Sequence, residues 1–502
     1  MIQTEIPSPA GVIARVDRIL RYALPLLLLI VAADLAQGIL HGPQWIWNES
    51  RLASALSLAY GYPLYPSRHV VGPILGTVHA PLGYLFYASL GFLKDPVDAL
   101  MAGCGLAVVL YFAPLVWVHL RAGQGSLLTR TYACLACAAV VLASPGTNYS
   151  ALNIHVDAPS IAAAVIAAGI LATARGPVGN GMLAASAALS VFSVACKQTM
   201  VAVPVSLGCF LLLAEGPRRF LKYVLMQLVS VLAIGAATLA LFRPTQDLIN
   251  IYTWAVHLQR ASDTTPSLLL GMYTERLALA VVVPILVLLL AGILFDTTGS
   301  LRARLNSNRW FVFLFMAILQ TPVAMRAWIT PGGDVNHLGV VTLFATLAVT
   351  MGMVMAPALP ALLQRAAFVG IIVATLPLPW QLSHDFARLP KAPAGIAWSY
   401  EKLHPGRAYF PINPLAALMA EGKPTHYDFA LFDRERAGYP VTPEQFAAGL
   451  PAHYRFIAYP PSYGDPPSHV LSVTLRCMHP VTEPGLRGWH VFAPGNGTAT
   501  PP

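Results

Sequence analysis

Apolar stretches long enough to cross a bilayer recur through most of this 502-residue chain. They cover 22–40, 99–120, 131–144, 158–174, 223–242, 277–295, 310–328, 338–358 and 366–380. A spanning helix needs about 20 apolar residues; several runs reach that length, while 131–144 and 366–380 fall short. Composition agrees, with 56% hydrophobic and only 11% charged residues, where soluble domains carry about 25% charge. In lipid every backbone polar group must find its partner within the protein, so these runs must be helices. The first run is too long for a cleaved leader and contains Asp34, so it reads as a retained first helix. The expected fold class is an all-α polytopic membrane domain, residues 1–380, with about 11 to 13 crossings.

Basic residues set the expected orientation. Arg15, Arg18 and Arg21 precede the first helix; Arg218, Arg219 and Lys222, and Arg302, Arg304 and Arg309, lie between later ones. Cytoplasmic loops carry such excess, so the N-terminus is expected inside, and residues 41–76, 145–157, 243–270 and the C-terminal part outside. The net charge of +9 is therefore a topology signal, with no nucleic acid implied. Segment 77–93 fits no full crossing in this order and is expected to be short, re-entrant or surface-lying. No internal repeat of the transporter kind is visible. Five of the six cysteines fall in apolar runs, where they act as small buried residues rather than as disulfide partners.

Composition changes after residue 380. Residues 381–502 hold 18 of the 42 prolines. Alternating apolar patterns occur at Tyr409-Phe410, Tyr454–Tyr459, His469–Leu475 and Trp489–Phe492, and Thr442-Pro443-Glu444-Gln445 reads as a capping box with proline at the first helical position. A small α/β domain outside the membrane is expected.

One lysine breaks the apolar frame. Lys197, in Cys196-Lys197-Gln198-Thr199, stands between apolar runs at 182–195 and 200–214. A cation at bilayer depth costs about 2.5–3.5 kcal/mol on insertion scales, and such residues usually face a polar cavity. Candidate partners and co-actors are assigned to the outer side. The first outside loop offers Glu49, which opens an amphipathic segment at 49–60 suited to lying in the interface, and then Arg68, His69 and His79. Glu49 is favoured at a helix start by the helix dipole; facing a cavity, it could instead take a proton from a hydroxyl. Asp34 is a competing carboxylate. Asp157 and His155 open one later helix, and Asp334, Asn336 and His337 another; these are either helix caps or ligand contacts. Arg326 completes the set. A divalent metal is possible, but the His and Asp residues show no ligand spacing.

These motifs in this order resemble the GT-C glycosyltransferases of the protein O-mannosyltransferase and aminoarabinose-transferase type. The resemblance rests on the carboxylate after helix one, on His79-Ala80-Pro81-Leu82-Gly83-Tyr84, on His155-Val156-Asp157-Ala158-Pro159, on Lys197-Gln198-Thr199 and on Gly332-Gly333-Asp334-Val335-Asn336-His337. It covers essentially the whole chain. Two departures stand out: Asn48-Glu49 where the family often has Asp or Asp-Glu, and His-Ala-Pro-Leu where Tyr-Pro-Pro-Leu is common.

The resemblance implies transfer of one sugar, with inversion, from a polyprenyl-phosphate donor to a glycan, lipid or protein acceptor at the outer face of a bacterial inner membrane. The leaving group is already anionic, so it needs cations rather than an acid. Lys197, Arg68, His69, His79 and Arg326 would bind the phosphate, Glu49 would be the base, and Asp157, Asp334, Asn336 and His337 would contact the sugar. A transporter or lipid flippase, with Lys197, Asp34 and Asp157 on its path, is the competing reading. The altered Asn-Glu and His-Ala-Pro-Leu motifs support a third, a catalytically silent relative.

Overall fold

The computed structural model describes residues 9–65, 72–75, 79–123, 125–242, 275–294, 300–329, 335–355, 361–375, 391–436, 438–451 and 453–495. Arg68, His69 and Asp334 lie outside these residues.

Two sequence signals shape the membrane part: length of apolar run, and proline or polar breaks. The 33-residue α1 (Pro9–His41) and the 26-residue α4 (Pro96–Arg121) and α10 (Pro217–Phe242) are uninterrupted spans, as are α13 (Phe311–Trp328) and α14 (Asn336–Met355). Asp95 caps α4 by accepting from the amides of Val97 and Asp98. The weak run at 131–144 is the first limb of a sharply bent helix pair. Here α5 (Leu127–Ala143) turns by 98° at Ser144 into α6 (Pro145–Leu152), with Pro145 at the first helical position. Further apolar helices are shorter than a full span: α7 (Asp157–Ala172), α8 (Asn180–Cys196), α9 (Ala202–Ala214), and parts of α11 (Arg276–Leu294) and α15 (Ala361–Thr375). Segment 77–93 is short as expected, forming α3 (Leu82–Ala88) and one 3-10 turn at Ser89–Phe92.

Helices α4, α5, α7, α8, α9, α13 and α14 close around one apolar core. On the side assigned to the cytoplasm, the basic loops are tied down. Arg309 and Arg219 both hold Glu215, at 2.7 and 3.1 Å. The short α12 (Leu301–Ser307) precedes Arg309.

The loop after the first helix, expected outside, folds differently from expectation. Residues Ile46–Ala59 form α2, but it does not lie on lipid. Asn48, Glu49, Leu52, Ala53, Ala55 and Leu56 are all buried. The helix is wedged between the membrane helices and the C-terminal part, because both sides offer it apolar and hydrogen-bonding partners.

The C-terminal part is a four-stranded sheet flanked by helices. Its elements are α16 (Pro393–Leu403), β1 (Ala408–Tyr409), α17 (Leu415–Glu421), α18 (Asp428–Arg436), α19 (Pro443–Ala448), β2 (Phe456–Tyr459), α20 (His469–Arg476), β3 (Met478–Val481) and β4 (His490–Pro494). Strand order is β1-β2-β4-β3, with β1 and β2 parallel and the other pairs antiparallel. On β2, Phe456 and Ala458 face one core while Ile457 and Tyr459 face the other, the period-2 alternation of a strand covered on both sides. The capping box is present: Thr442 Oγ1 accepts from the Gln445 amide and Gln445 Oε1 from the Thr442 amide, at 3.3 and 3.1 Å.

The alternating pattern at His469–Leu475 is helical instead. Glu435 of α18 accepts from the amides of His469 and Val470, at 2.7 and 3.1 Å. This satisfies the start of α20 from a distant residue that local sequence does not reveal.

One crossing positions the later site. A Cβ on Gly339 of α14 would lie 2.3 Å from the Gly146 carbonyl carbon, and one on Gly146 of α6 would lie 2.4 Å from the Val335 oxygen. The two backbones touch, which only glycine permits. Overpacking usually costs about 1–3 kcal/mol. Gly339→Ala should therefore lower the thermal midpoint of the detergent-solubilised protein by several degrees. Gly370→Ala, with open space around its Cβ, should leave it unchanged; equal midpoints in both variants would contradict this packing.

Candidate active site

The helix breaks put polar residues together at one end of the bundle. Asp157 is the first residue of α7, Asn336 the first of α14, and Lys197 follows the last residue of α8 in extended backbone, φ −147° and ψ 114°. A 3-10 turn, Gln198–Val201, leads on into α9. Helix ends carry the backbone groups that lack intrahelical partners, so polar side chains gather there.

Asp157 is the hub and is fully buried. One carboxylate oxygen is ion-paired with the Lys197 ammonium and lies 3.0 Å from His155 Nδ1. The other accepts from Ser150 Oγ at 2.8 Å and Asn336 Nδ2 at 2.7 Å. Side chains from four elements or loops thus converge on one carboxylate. Lys197 is also fully buried, so each charge answers the desolvation cost of the other.

The rest of the Lys-Gln-Thr motif frames this pair. Gln198 Oε1 accepts from the Ala80 amide at 3.0 Å, and the Thr199 carbonyl accepts from Gln320 Nε2 at 2.8 Å. Gln198 thereby holds His79 beside the cluster, where its ring packs edge-on to His155 with centroids 4.9 Å apart. Tyr65 donates to the His79 carbonyl at 2.5 Å, and Tyr87 to the His155 carbonyl at 2.9 Å.

Arg51 of α2 enters from the other side. It donates to Tyr149 Oη at 2.5 Å and to the Ile154 carbonyl at 3.3 Å, and lies over the Trp45 and Tyr149 rings, each centroid 5.4 Å away. Between Arg51, His79, Tyr84 and His155 the side chains leave no room for a water molecule.

Glu49 stands elsewhere. Its carboxylate is buried and accepts from Asn413 Nδ2 at 2.7 Å and from the Leu415 amide at 3.3 Å. It therefore faces the start of α17 and not a cavity, which corrects the expected orientation. The neighbouring Asn48 turns the opposite way. Its side chain accepts from the Ile154 amide at 2.8 Å and donates to Asn153 Oδ1 at 3.0 Å and the Gly42 carbonyl at 2.9 Å. Successive helix residues point about 100° apart, so one face of α2 grips the site loop and the other grips the C-terminal domain.

Of the other candidates, Asp34 is half-buried on α1, with one carboxylate oxygen lacking a hydrogen-bond partner. Arg326 lies in the last turn of α13, and His337 follows Asn336. Sequence reasoning missed Glu275, a buried carboxylate that accepts from Ser144 Oγ, from the Gly146 amide at 2.9 Å and from Thr342 Oγ1 at 2.8 Å. A lone acid directly before an apolar run was its sequence signal. Arg51 was visible beside Glu49 but carried no pattern. Among the described residues, no group of three His, Cys, Asp or Glu side chains converges as a metal site.

Two solved structures share this architecture. Both are of ArnT from Cupriavidus metallidurans. The apo form is 15% identical with a TM-score of 0.59, over 94% of this chain and 98% of that one. The form bound to undecaprenyl phosphate is 14% identical with a TM-score of 0.57, over 96% and 100%. No family model and no curated protein matches the chain. The likeness extends over the membrane helices and the C-terminal domain together, and establishes a GT-C-like fold in an integral membrane protein.

Burial pushes the Glu49 carboxyl up to about 8, against the hydrogen bonds from Asn413 and Leu415 that pull it down. Such a group binds its proton more tightly folded than unfolded, so stability should fall as pH rises from about 4.5 to about 8. Glu49→Gln removes this dependence. Its thermal midpoint should match wild type near pH 5 and exceed it by several degrees near pH 8.5; parallel midpoints across that range would show that Glu49 is not buried on Asn413.

Proposed function

We propose that the chain is a membrane glycosyltransferase that moves a sugar from a polyprenyl-phosphate donor to an acceptor at the outer membrane face. The observation that carries this reading is the buried Asp157–Lys197 pair, flanked by His79, His155 and Asn336, at the helix ends of a GT-C-like fold. A related support is that one ArnT structure of this fold holds undecaprenyl phosphate.

The chemistry follows from the charges. The bond between the sugar's anomeric carbon and the phosphate oxygen breaks, and a bond from that carbon to the acceptor oxygen forms. The electron pair leaves with the phosphate, which needs a cation in place. Lys197, helped by His79, meets it. As Lys197 turns toward the phosphate, Asp157 loses its counter-ion and becomes free to accept the acceptor's hydroxyl proton. Asn336 and Ser150 then hold the carboxylate in place. Glu49 is assigned to holding α17, and the sugar, the acceptor and any metal are left open by this reading. Arg68, His69 and Asp334, from segments adjoining His79 and Asn336 in sequence, are proposed as further donor contacts, and Arg326 and His337 as outer-side contacts.

A second reading has its own observation. Asn48 stands where the resembling family often carries its acid, and its amide is fully engaged by Gly42, Asn153 and Ile154. A relative that binds lipid donor without turnover fits that substitution.

Purified protein should transfer radiolabelled sugar from a panel of polyprenyl-phosphate sugars to a bacterial envelope extract, releasing polyprenyl phosphate. Asp157→Asn should reduce kcat by about 10²–10⁴-fold, the range for loss of a general base, while Glu49→Gln near pH 6 retains most activity. Gradient-driven flux in proteoliposomes without any transfer would overturn the enzyme reading in favour of a transporter. Donor binding without transfer in every pairing would favour the silent relative.

A further inference from the structure

A cavity of about 610 Å³ lies away from the Asp157 cluster, between the membrane helices and the C-terminal part. Its walls are the end of α1 at Leu40, the first turns of α4 at Val97 and Met101, and the face of α16 that presents Ile396 and Leu403. Gly395 sets its width, since a Cβ there would meet Val97 Cγ2 at 2.9 Å. The volume is that of a site for a ligand of moderate size.

Three features identify the occupant. First, the cavity lies where α1 leaves its apolar span and α4 enters its own, marked by His41 and by the Asp95 cap. That is the level at which headgroups meet acyl chains. Second, its apolar wall continues outward: Leu403 is 75% exposed and Leu40 39% exposed. Exposed apolar surface joined to a spanning helix is covered by lipid in a bilayer. Third, the lining includes Lys391 and, among the described residues, no carboxylate of its own; the neighbouring Glu483, which accepts from the lining Tyr400 at 3.0 Å, is itself paired with Arg407 at 3.5 Å. Lys391 and His404 sit on the rim; Lys402, 4.4 Å over the Trp398 ring, belongs to the same short helix but does not line the cavity. A lysine on the rim of an apolar floor suits an anionic headgroup above a chain, and a tryptophan on the same helix suits the interface.

We propose that this cavity seats one acyl chain of an anionic outer-leaflet phospholipid, with the phosphate on Lys391, and that the lipid ties the C-terminal domain to the membrane. The seat is separate from the donor site and does not depend on the transferase reading.

The test uses full-length protein in phosphatidylcholine nanodiscs containing a phosphatidylglycerol with a photoreactive chain. After illumination, labelled peptides are mapped. Label should concentrate on 96–101 and 391–404, and exceed that from a choline-headed probe by about fivefold, as one or two nearby cations allow. Lys391→Glu should abolish this preference, and Met101→Trp, which fills the cavity, should remove the label; unchanged thermal midpoints would confirm that both variants are folded. Equal labelling by both probes, or no label on these peptides, would overturn the proposal. So would displacement of the label by undecaprenyl phosphate, which would assign the cavity to that lipid.

Discussion

The buried ion pair between Asp157 and Lys197 is the constraint that orders one end of the bundle. Neither charge can stand alone in an apolar interior; breaking such a pair typically costs about 3–5 kcal/mol. The pair therefore demands that α7 begin where α8 ends, and that both helices stop at the same depth. Its remaining hydrogen-bonding capacity recruits Ser150 from α6 and Asn336 from α14. That recruitment in turn requires the backbone contact at Gly146 and Gly339, and Glu275 secures the same corner by holding the Gly146 amide. Packing at the crossing and chemistry at the site are one arrangement.

The short α2 links that arrangement to the C-terminal part. Asn48 fixes it to the loop that carries His155 and Asp157, while Glu49 fixes it to α17. The C-terminal part and the loop that carries the buried pair are thus joined through two adjacent residues of α2. The apolar cluster that includes Leu52, Leu56, Ile154, Val156, Leu415 and Leu418 packs around this joint. A polar side chain that reads as a catalytic acid in the sequence can serve instead as the joint between two domains.

Sequence made much of this legible for physical reasons. Long apolar runs have few folds open to them in lipid, so the helical frame and the C-terminal change in composition could be read directly. Lys197 and Asp157 were visible because isolated charges in apolar surroundings need partners, although only the fold shows that they partner each other. The orientation of Glu49 was not legible, since a helix-start acid looks the same whether it faces a cavity or another domain. Nor was the helical state of His469–Arg476, whose start is satisfied by Glu435 across the fold. Gly146 and Gly339 carried no local signal, because the need for glycine arises only where two distant helices cross.

On the proposed function, Lys197 is paired with Asp157 so that it can meet a lipid phosphate. The most direct measurement of this is equilibrium binding of undecaprenyl phosphate to wild type and to the double variant Asp157→Asn/Lys197→Met, which removes both charges without leaving either unpaired. Saturable binding to wild type that weakens at least about tenfold in the double variant, as loss of a charged hydrogen bond allows, is the predicted result. Equal affinity in two folded proteins would contradict it and leave the buried pair a purely structural feature.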